Sequence, residues 1–185
     1  MRTFLAIDLD DDIRMGLLEA MRQLDAPGQR INWVAEHQLH VTMKFLGDVP
    51  DSAIQDVCDA MADSAGAVEA FDFCVRGVTA VPPRGELRML WADVDDSTGL
   101  MNALHDELDN RLSGISPHDE DRKFSPHVTL ARIKFAKNPL ALRKAVEPWA
   151  RHEFGTQRCA EIVAYASQLT ADGPIYTPVA RGALR

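Results

Sequence analysis

One short pattern occurs twice in this chain. Residues 40–45 read His-Val-Thr-Met-Lys-Phe and residues 127–132 read His-Val-Thr-Leu-Ala-Arg, nearly half of the 185 residues apart. In an extended strand, successive side chains point to opposite faces. His40 and Thr42 therefore share one face, and Val41 and Met43 share the other. His127 and Thr129 stand in the same relation to Val128 and Leu130. Each segment is a strand with an apolar back and a front that presents an imidazole beside a hydroxyl. A fold that buries both backs together surrounds one small anion with two imidazoles and two hydroxyls. A strand duplicated for packing alone would show the same spacing, so the pattern leaves that structural reading open.

The rest of the chain supplies strands and helices in a mixed order. Arg2–Asp8 alternates as a strand, and the carboxylates of Asp10, Asp11 and Asp12 open a helix with Ile13, Leu17, Leu18, Met21 and Leu24 on one face. Pro27-Gly28 ends it. Ile31–Val34 and His40–Leu46 read as strands. A second helix follows Pro50, with Ser52 and Gln55 as a capping box and Ile54, Val57, Cys58 and Met61 as its apolar stripe. Phe71–Val81 and Met89–Val94 are strands around the polar loop Pro82–Arg88, and Leu100, Met101, Leu104, Leu108 and Leu112 mark a third helix. A charged loop, Gly114–Ser125, precedes the strand Phe124–Ile133. Leu140–Trp149 reads as a fourth helix, and Phe154–Gln168 and Ile175–Ala180 as closing strands joined by the turn Ala171–Pro174. Two or three strands often separate helices, which predicts an α+β fold with antiparallel pairing rather than a strict βαβ series.

Bulk composition narrows the function. A net charge of −8 argues against a protein that coats long nucleic acid, whose affinity would come from neutralising many phosphates. A local pocket for one or two phosphates at an RNA end remains compatible with it. No apolar run approaches the ~20 residues of a membrane span. The first residues, with one arginine, a short apolar stretch and then Asp8, Asp10, Asp11 and Asp12, do not read as a signal peptide, so a cytoplasmic setting is expected. Three widely spaced cysteines, Cys58, Cys74 and Cys159, form no CxxC and are expected to be reduced core thiols.

Opening a cyclic phosphodiester requires the set of groups that the duplicated segments carry. Water must lose a proton as it attacks phosphorus, and the departing ribose oxygen must gain one; histidine titrates close enough to neutrality to serve either role. One imidazole must start neutral and the other protonated, which predicts a bell-shaped pH profile. The threonine hydroxyls can donate to non-bridging oxygens where charge concentrates in the transition state. No metal or other cofactor is required. His37 and His40 are three residues apart, but on a strand or loop they do not converge as ligands on a helix do, so no metal site is expected.

The two segments resemble the HxTx motifs, here residues 40–43 and 127–130, of the two-histidine phosphoesterase superfamily. More specifically, the chain is similar to the RNA 2′,3′-cyclic phosphodiesterases, historically called 2′-5′ RNA ligases. Arg2–Asp8 resembles that family's opening strand, Trp33-Val34 with Leu39–Gly47 its first signature, and Phe124–Arg132 its second. The resemblance implies one bilobal α+β domain over residues 1–185: two antiparallel sheets with flanking helices, related by a pseudo-two-fold axis, with one motif in each lobe facing a central cleft. It implies His40 as proton donor, His127 as proton acceptor, Thr42 and Thr129 as their partners, and a 2′-phosphate as product. It also implies that certain RNA ends can be joined through a 2′-5′ bond by the reverse type of reaction. Departures are small: valine follows each histidine where leucine is commoner, and Ser125 stands where a basic residue often precedes the proline.

Residues around the motifs are candidates for binding. Arg132 matches the family's terminal arginine, and its planar donors suit phosphate, although strict alternation sets it opposite His127 unless a bulge re-aims it. Lys44 shares the face of His40 by alternation. Phe45 and Trp33, with Phe4 and Phe124, are candidate base-stacking or core aromatics, and Trp33 is the first choice for stacking because a polar loop follows it. Arg84, Arg88, Arg122 and Lys123 could line an electropositive rim, diluted by Glu86, Glu120 and Asp121. His105, His118 and His152 have no evident partner. The expected partners are RNA 3′ ends or cyclic nucleotides, with no membrane, and the expected state is a monomer. The competing functions are a two-histidine enzyme acting on another cyclic nucleotide and an RNA-end binding module without turnover.

Overall fold

A computed structural model describes residues 1–25, 30–115, 123–171 and 173–185. Its elements in chain order are β1 (Arg2–Asp8), α1 (Asp11–Leu24), β2 (Arg30–Trp33), β3 (His40–Asp48), α2 (Ile54–Ala67), β4 (Phe71–Val81), β5 (Met89–Asp95), α3 (Leu100–Leu112), β6 (His127–Phe135), α4 (Pro139–Val146), β7 (Glu153–Cys159), β8 (Glu161–Thr170) and β9 (Gly173–Ala183). The expected helix stop at Pro27-Gly28, the turn residue Asp172, and most of the charged loop before β6, including His118 and Arg122, lie outside the described residues.

The strands form two antiparallel halves, β3-β1-β8-β9 and β6-β5-β4-β7, with β2 added along β6. The two expected sheets are present as these halves. They meet where β3 and β6 pair through Val41 and Val128, which joins the nine strands of the described residues into one sheet. Helices α2 and α3 pack against the first half, α1 and α4 against the second. The α+β class follows from this layering.

The halves repeat one another residue by residue. On β1 and β3 the partners are Asp8–His40, Ala6–Thr42 and Phe4–Phe45. On β5 and β6 they are Asp93–His127, Trp91–Thr129 and Met89–Arg132. Each motif strand also carries a bulge at the same place: the register slips past Met43 in β3 and past Leu130 in β6. As a result two consecutive residues turn toward the helices, Met43 with Lys44 and Leu130 with Ala131, all of them buried. The apolar backs share the helix-covered core: Leu5 and Ile7 on β1, Val41 and Met43 on β3, Leu90 and Ala92 on β5, Val128 and Leu130 on β6. Burying each of the larger ones contributes about 1.5–3 kcal/mol, which fixes the phase of both motif strands and hence the face their histidines occupy.

Three local expectations change. The Ser52–Gln55 capping box does not form: a 3₁₀ turn, Asp51–Ala53, leads into α2, and Gln55 bonds Asp59 instead. Phe154–Gln168 is two strands divided at Ala160, because β7 pairs with β4 in one half while β8 pairs with β1 in the other. Apolar alternation runs through the crossing, and no Gly or Pro marks it in the sequence. The fourth helix ends at Val146, and Pro148 sits in the 3₁₀ turn Glu147–Trp149 that follows. All three cysteines are free, with Cys159 buried and Cys58 and Cys74 half-buried.

Candidate active site

The Val41–Val128 pair sets the geometry of the site. Carrying an antiparallel register one residue to either side puts His40 opposite Thr129 and Thr42 opposite His127, on the face away from the core. Directly opposed residues have Cβ atoms about 4.5–5.5 Å apart and diagonal neighbours about 7–8 Å. The two imidazoles are therefore a diagonal pair, separated on the scale of one phosphate group and two hydrogen bonds.

Each histidine is oriented in the same way. His40 Nδ1 lies 2.7 Å from the Gln38 carbonyl oxygen, and His127 Nδ1 lies 2.8 Å from the Ser125 carbonyl oxygen. A carbonyl accepts only, so both rings carry hydrogen on Nδ1 and leave Nε2 as the nitrogen that exchanges a proton. Beyond this the surroundings diverge. His40 Nε2 is 2.9 Å from Thr42 Oγ1. Thr129 Oγ1 instead points to Met89 Sδ at 3.7 Å.

Aromatic rings wall the His40 side. His40 stacks on Phe4 at 4.9 Å and meets the edge of Tyr176 at 5.7 Å, and Phe4 also stacks on Tyr165 at 5.4 Å. Asp8 accepts from the Tyr165 hydroxyl at both oxygens, 2.7 and 3.0 Å. A pocket beside this cluster is lined by Asp8, Arg14, His37, Leu39, His40, Tyr165 and Tyr176. On the other side His127 packs on Trp91 at 4.2 Å, whose indole N–H donates to Asp93 Oδ1 at 3.0 Å. The Thr79 hydroxyl donates to Asp93 Oδ2 at 2.7 Å.

Burial pushes the His40 imidazole below the usual histidine range. The Gln38 carbonyl and the Asp8 carboxylate oppose this, and the nearby His127 adds to it. Burial and the Asp8 contact push the Tyr165 phenol up to about 12. Burial also raises the Tyr176 phenol, against the positive charges of Arg132 and Arg2, which both bear on this ring.

The bulges decide the fate of the second-rank candidates. The slip at Leu130 returns Arg132 to the His127 face, where it is exposed and acts on Tyr176 across the site. The same slip at Met43 turns Lys44 away from His40, contrary to the alternation argument. Lys44 is 3% exposed on the helix side and pairs with Asp109 of α3. Phe45 takes the place on the site face that strict alternation gave to Lys44; it pairs across the strands with Phe4, and the Arg2 guanidinium lies 4.9 Å over its ring. Trp33 is opposed to Ala131, so it belongs to the core face, and its indole N–H donates to Asp25 at the end of α1. It is not at the cleft. Phe124 stacks on His105 at 4.1 Å and packs against the core. Among the described residues no group of three or more His, Cys, Asp or Glu side chains is placed to hold a metal ion.

Sequence reasoning missed Tyr165, Tyr176, Trp91, Asp8, Asp93 and Arg2 as site residues. One signal for the aspartates was present: Leu5-Ala6-Ile7-Asp8 and Leu90-Trp91-Ala92-Asp93 are both Leu-x-x-Asp within a strand, each upstream of a histidine motif. The tyrosines had none, because only the β8–β9 hairpin brings them to His40.

Comparisons with known proteins agree with this architecture. The family model described as the 2′-5′ RNA ligase superfamily matches residues 9–160. The RNA 2′,3′-cyclic phosphodiesterase of Thermotoga maritima is 32% identical over 178 residues, covering 95% of this chain and 91% of that protein. The protein of the same name from Methanothermobacter thermautotrophicus is 29% identical over 178 residues, covering 95% of each. Among solved structures, TT0787 of Thermus thermophilus superposes with a TM-score of 0.85 at 26% identity, covering 100% of this chain and 98% of that one. LigT of E. coli complexed with 3′-AMP superposes with a TM-score of 0.80 at 23% identity, covering 99% and 97%, a likeness of fold.

Proposed function

The chain belongs to the 2′-5′ RNA ligase superfamily, and we propose that it hydrolyses 2′,3′-cyclic phosphates at RNA ends to 2′-phosphates by acid–base catalysis between His40 and His127. The observation that carries this reading is the Val41–Val128 pair, which sets two imidazoles and two threonine hydroxyls on one face of the sheet. The cyclic phosphate lies between them. His127 Nε2 takes a proton from water as oxygen attacks phosphorus, and His40 Nε2 gives a proton to the departing 3′-oxygen. The hydroxyls of Thr42 and Thr129 donate to the non-bridging oxygens, and Arg132 supplies the counter-charge. Phe45 widens the aromatic wall available to a base. The assignment of donor and acceptor rests on the family resemblance, since the motifs themselves are nearly symmetric.

Proton transfer and charge stabilisation are both met by side chains, so the reaction needs no metal. Joining RNA ends through a 2′-5′ bond would use the same two histidines in exchanged roles. A binding module without turnover would not require an imidazole beside a hydroxyl on both strands facing the same anion, and this pairing favours the enzyme.

Phosphorus NMR of a 2′,3′-cyclic mononucleotide incubated with the protein and EDTA tests this directly. The cyclic signal is expected to convert entirely to a 2′-phosphomonoester. A 3′-phosphate product, conversion that stops with chelator, or binding without conversion would each overturn the reading.

A further inference from the structure

The two histidines share their motif, their Nδ1 partner and their tautomer, yet the reaction needs one to begin protonated and the other neutral. The difference has to come from the walls. Each histidine faces an aspartate directly across the neighbouring strand, Asp8 opposite His40 and Asp93 opposite His127. The two carboxylates are held differently. Asp93 is bonded on one oxygen by the Trp91 indole N–H and on the other by the Thr79 hydroxyl. The Trp91 ring itself lies against His127, so its indole edge is turned to Asp93 while its face covers the imidazole. Asp8 takes the hydroxyl of Tyr165 alone across both oxygens, with the Arg181 guanidinium at 3.9 Å. It also lines the pocket that His40 lines. One aspartate is spent on orienting an indole; the other is clamped with its charge toward an imidazole.

We propose that Asp8 is a positioning residue for the reaction: fixed by Tyr165 and opposed to His40 across β1 and β3, it favours the imidazolium form of His40 and so supports this histidine in the role of proton donor. The inference rests on the acid–base reading above and supplies a physical ground for the division of roles. As the P–O3′ bond breaks, the proton leaves His40 Nε2 for the 3′-oxygen. As the new P–O bond forms, His127 Nε2 takes a proton from the attacking water. The two rings finish with their protonation states exchanged, and solvent restores them.

The groups that face His40 come from every element around it: Asp8 on β1, Tyr165 on β8, Tyr176 on β9, His127 on β6, His37 in the turn before β3 and Arg14 on α1, with Arg181 behind Asp8. Among these Asp8 is the acceptor whose charge stabilises an imidazolium. The Asp8 carboxylate acts on His40 in that direction, against the larger effect of burial.

The test is an imidazole ¹H–¹⁵N NMR titration of the intact protein and of Asp8→Asn, which keeps the size of the side chain and an acceptor for Tyr165. The His40 midpoint is expected to fall in Asp8→Asn while that of His127 stays in place. At pH 7 kcat is expected to drop about three- to tenfold with KM unchanged, and Asp8→Glu to restore part of it. Arg181→Gln, which unmasks the Asp8 charge, is expected to move the His40 midpoint the other way, and it decides the matter should Asp8→Asn not fold. Asp93→Asn serves as the matched control and is expected to leave His40 unmoved. A His40 midpoint indifferent to both Asp8→Asn and Arg181→Gln, or one that moves equally with Asp93→Asn, overturns the proposal. The titration needs no turnover, so this failure is distinct from failure of the reaction assignment, which is read from His40→Ala and His127→Ala.

Discussion

The His40 half and the His127 half of this protein share a backbone plan and little of their walls. Strand pairing, the bulge after each threonine, the Nδ1-to-carbonyl bond and the cross-strand aspartate all recur in both. The positions around them differ: Phe4 against Met89, Ala6 against Trp91, Lys44 against Ala131, Phe45 against Arg132. Phe4, Tyr165 and Tyr176 wall the His40 side, whereas the His127 side carries Trp91 and the exposed Arg132. The repeat sets a histidine and a threonine on one face in each half, and the walls around the two copies differ.

The strongest challenge to the comparison is removal of either imidazole. His40→Ala and His127→Ala are each expected to lower turnover by about 10²–10⁴-fold with the fold intact. The double variant is expected to be scarcely worse than the single ones, because the pair acts as a unit. Equal and multiplicative losses would mean two independent sites rather than one shared anion pocket.

The next contrast lies at the bulge. Ala131 packs without further demand, whereas Lys44 carries a charge into the core and depends on Asp109, which is itself 57% exposed. Asp109→Ala is expected to cost about 3 kcal/mol in a denaturant titration because it strands the buried ammonium, whereas Lys44→Met, which removes the charge at similar size, is expected to cost under about 1 kcal/mol. The reverse ranking would show that Lys44 does not reside in the core.

Smaller effects sharpen the division of labour. Arg132→Gln is expected to lower kcat/KM by about 10–100-fold, and Phe45→Leu at the matching position by no more than about threefold, measured on the same cyclic nucleotide. The pH profiles carry a signature of burial at His40. As the proposed proton donor it must be protonated, and burial lowers its pKa in the free protein. A bound anionic phosphate favours the imidazolium, so the alkaline limb of kcat/KM is expected at lower pH than the alkaline limb of kcat.

The smallest expected effect is on stability. Because the folded-state pKa of His40 is depressed, the unfolded chain binds the proton more readily. Its contribution is present above about pH 6.5 and is lost as pH falls from there through the folded value. His40→Gln is expected to flatten this part of the stability–pH curve.

Much of the fold was legible because two periodicities carry it. The apolar stripes of α1 and α3, with Ile13, Leu17 and Leu24 or Leu104, Leu108 and Leu112 buried, mark those helices from the sequence alone. What alternation could not show was its own interruption. A bulge changes register by one residue and leaves no signature when both residues it turns inward are tolerated there, as the pair Met43-Lys44 shows. Lys44 and Arg132 were therefore each given the wrong face by strict alternation. Trp33 was misplaced for another reason: its face is set by pairing with Ala131, a contact made about a hundred residues away in the chain.

By itself the sequence determined which groups share a face, since His-Val-Thr on a strand fixes an imidazole and a hydroxyl to one side and a buried valine to the other. Local covalent geometry enforces that at both copies. Only the tertiary structure decided what makes the copies unequal. The tyrosines beside His40, the tryptophan on His127 and the aspartates behind both reach their places through pairing with other strands. Such neighbours are chosen by the burial of the whole core rather than by any spacing along the chain.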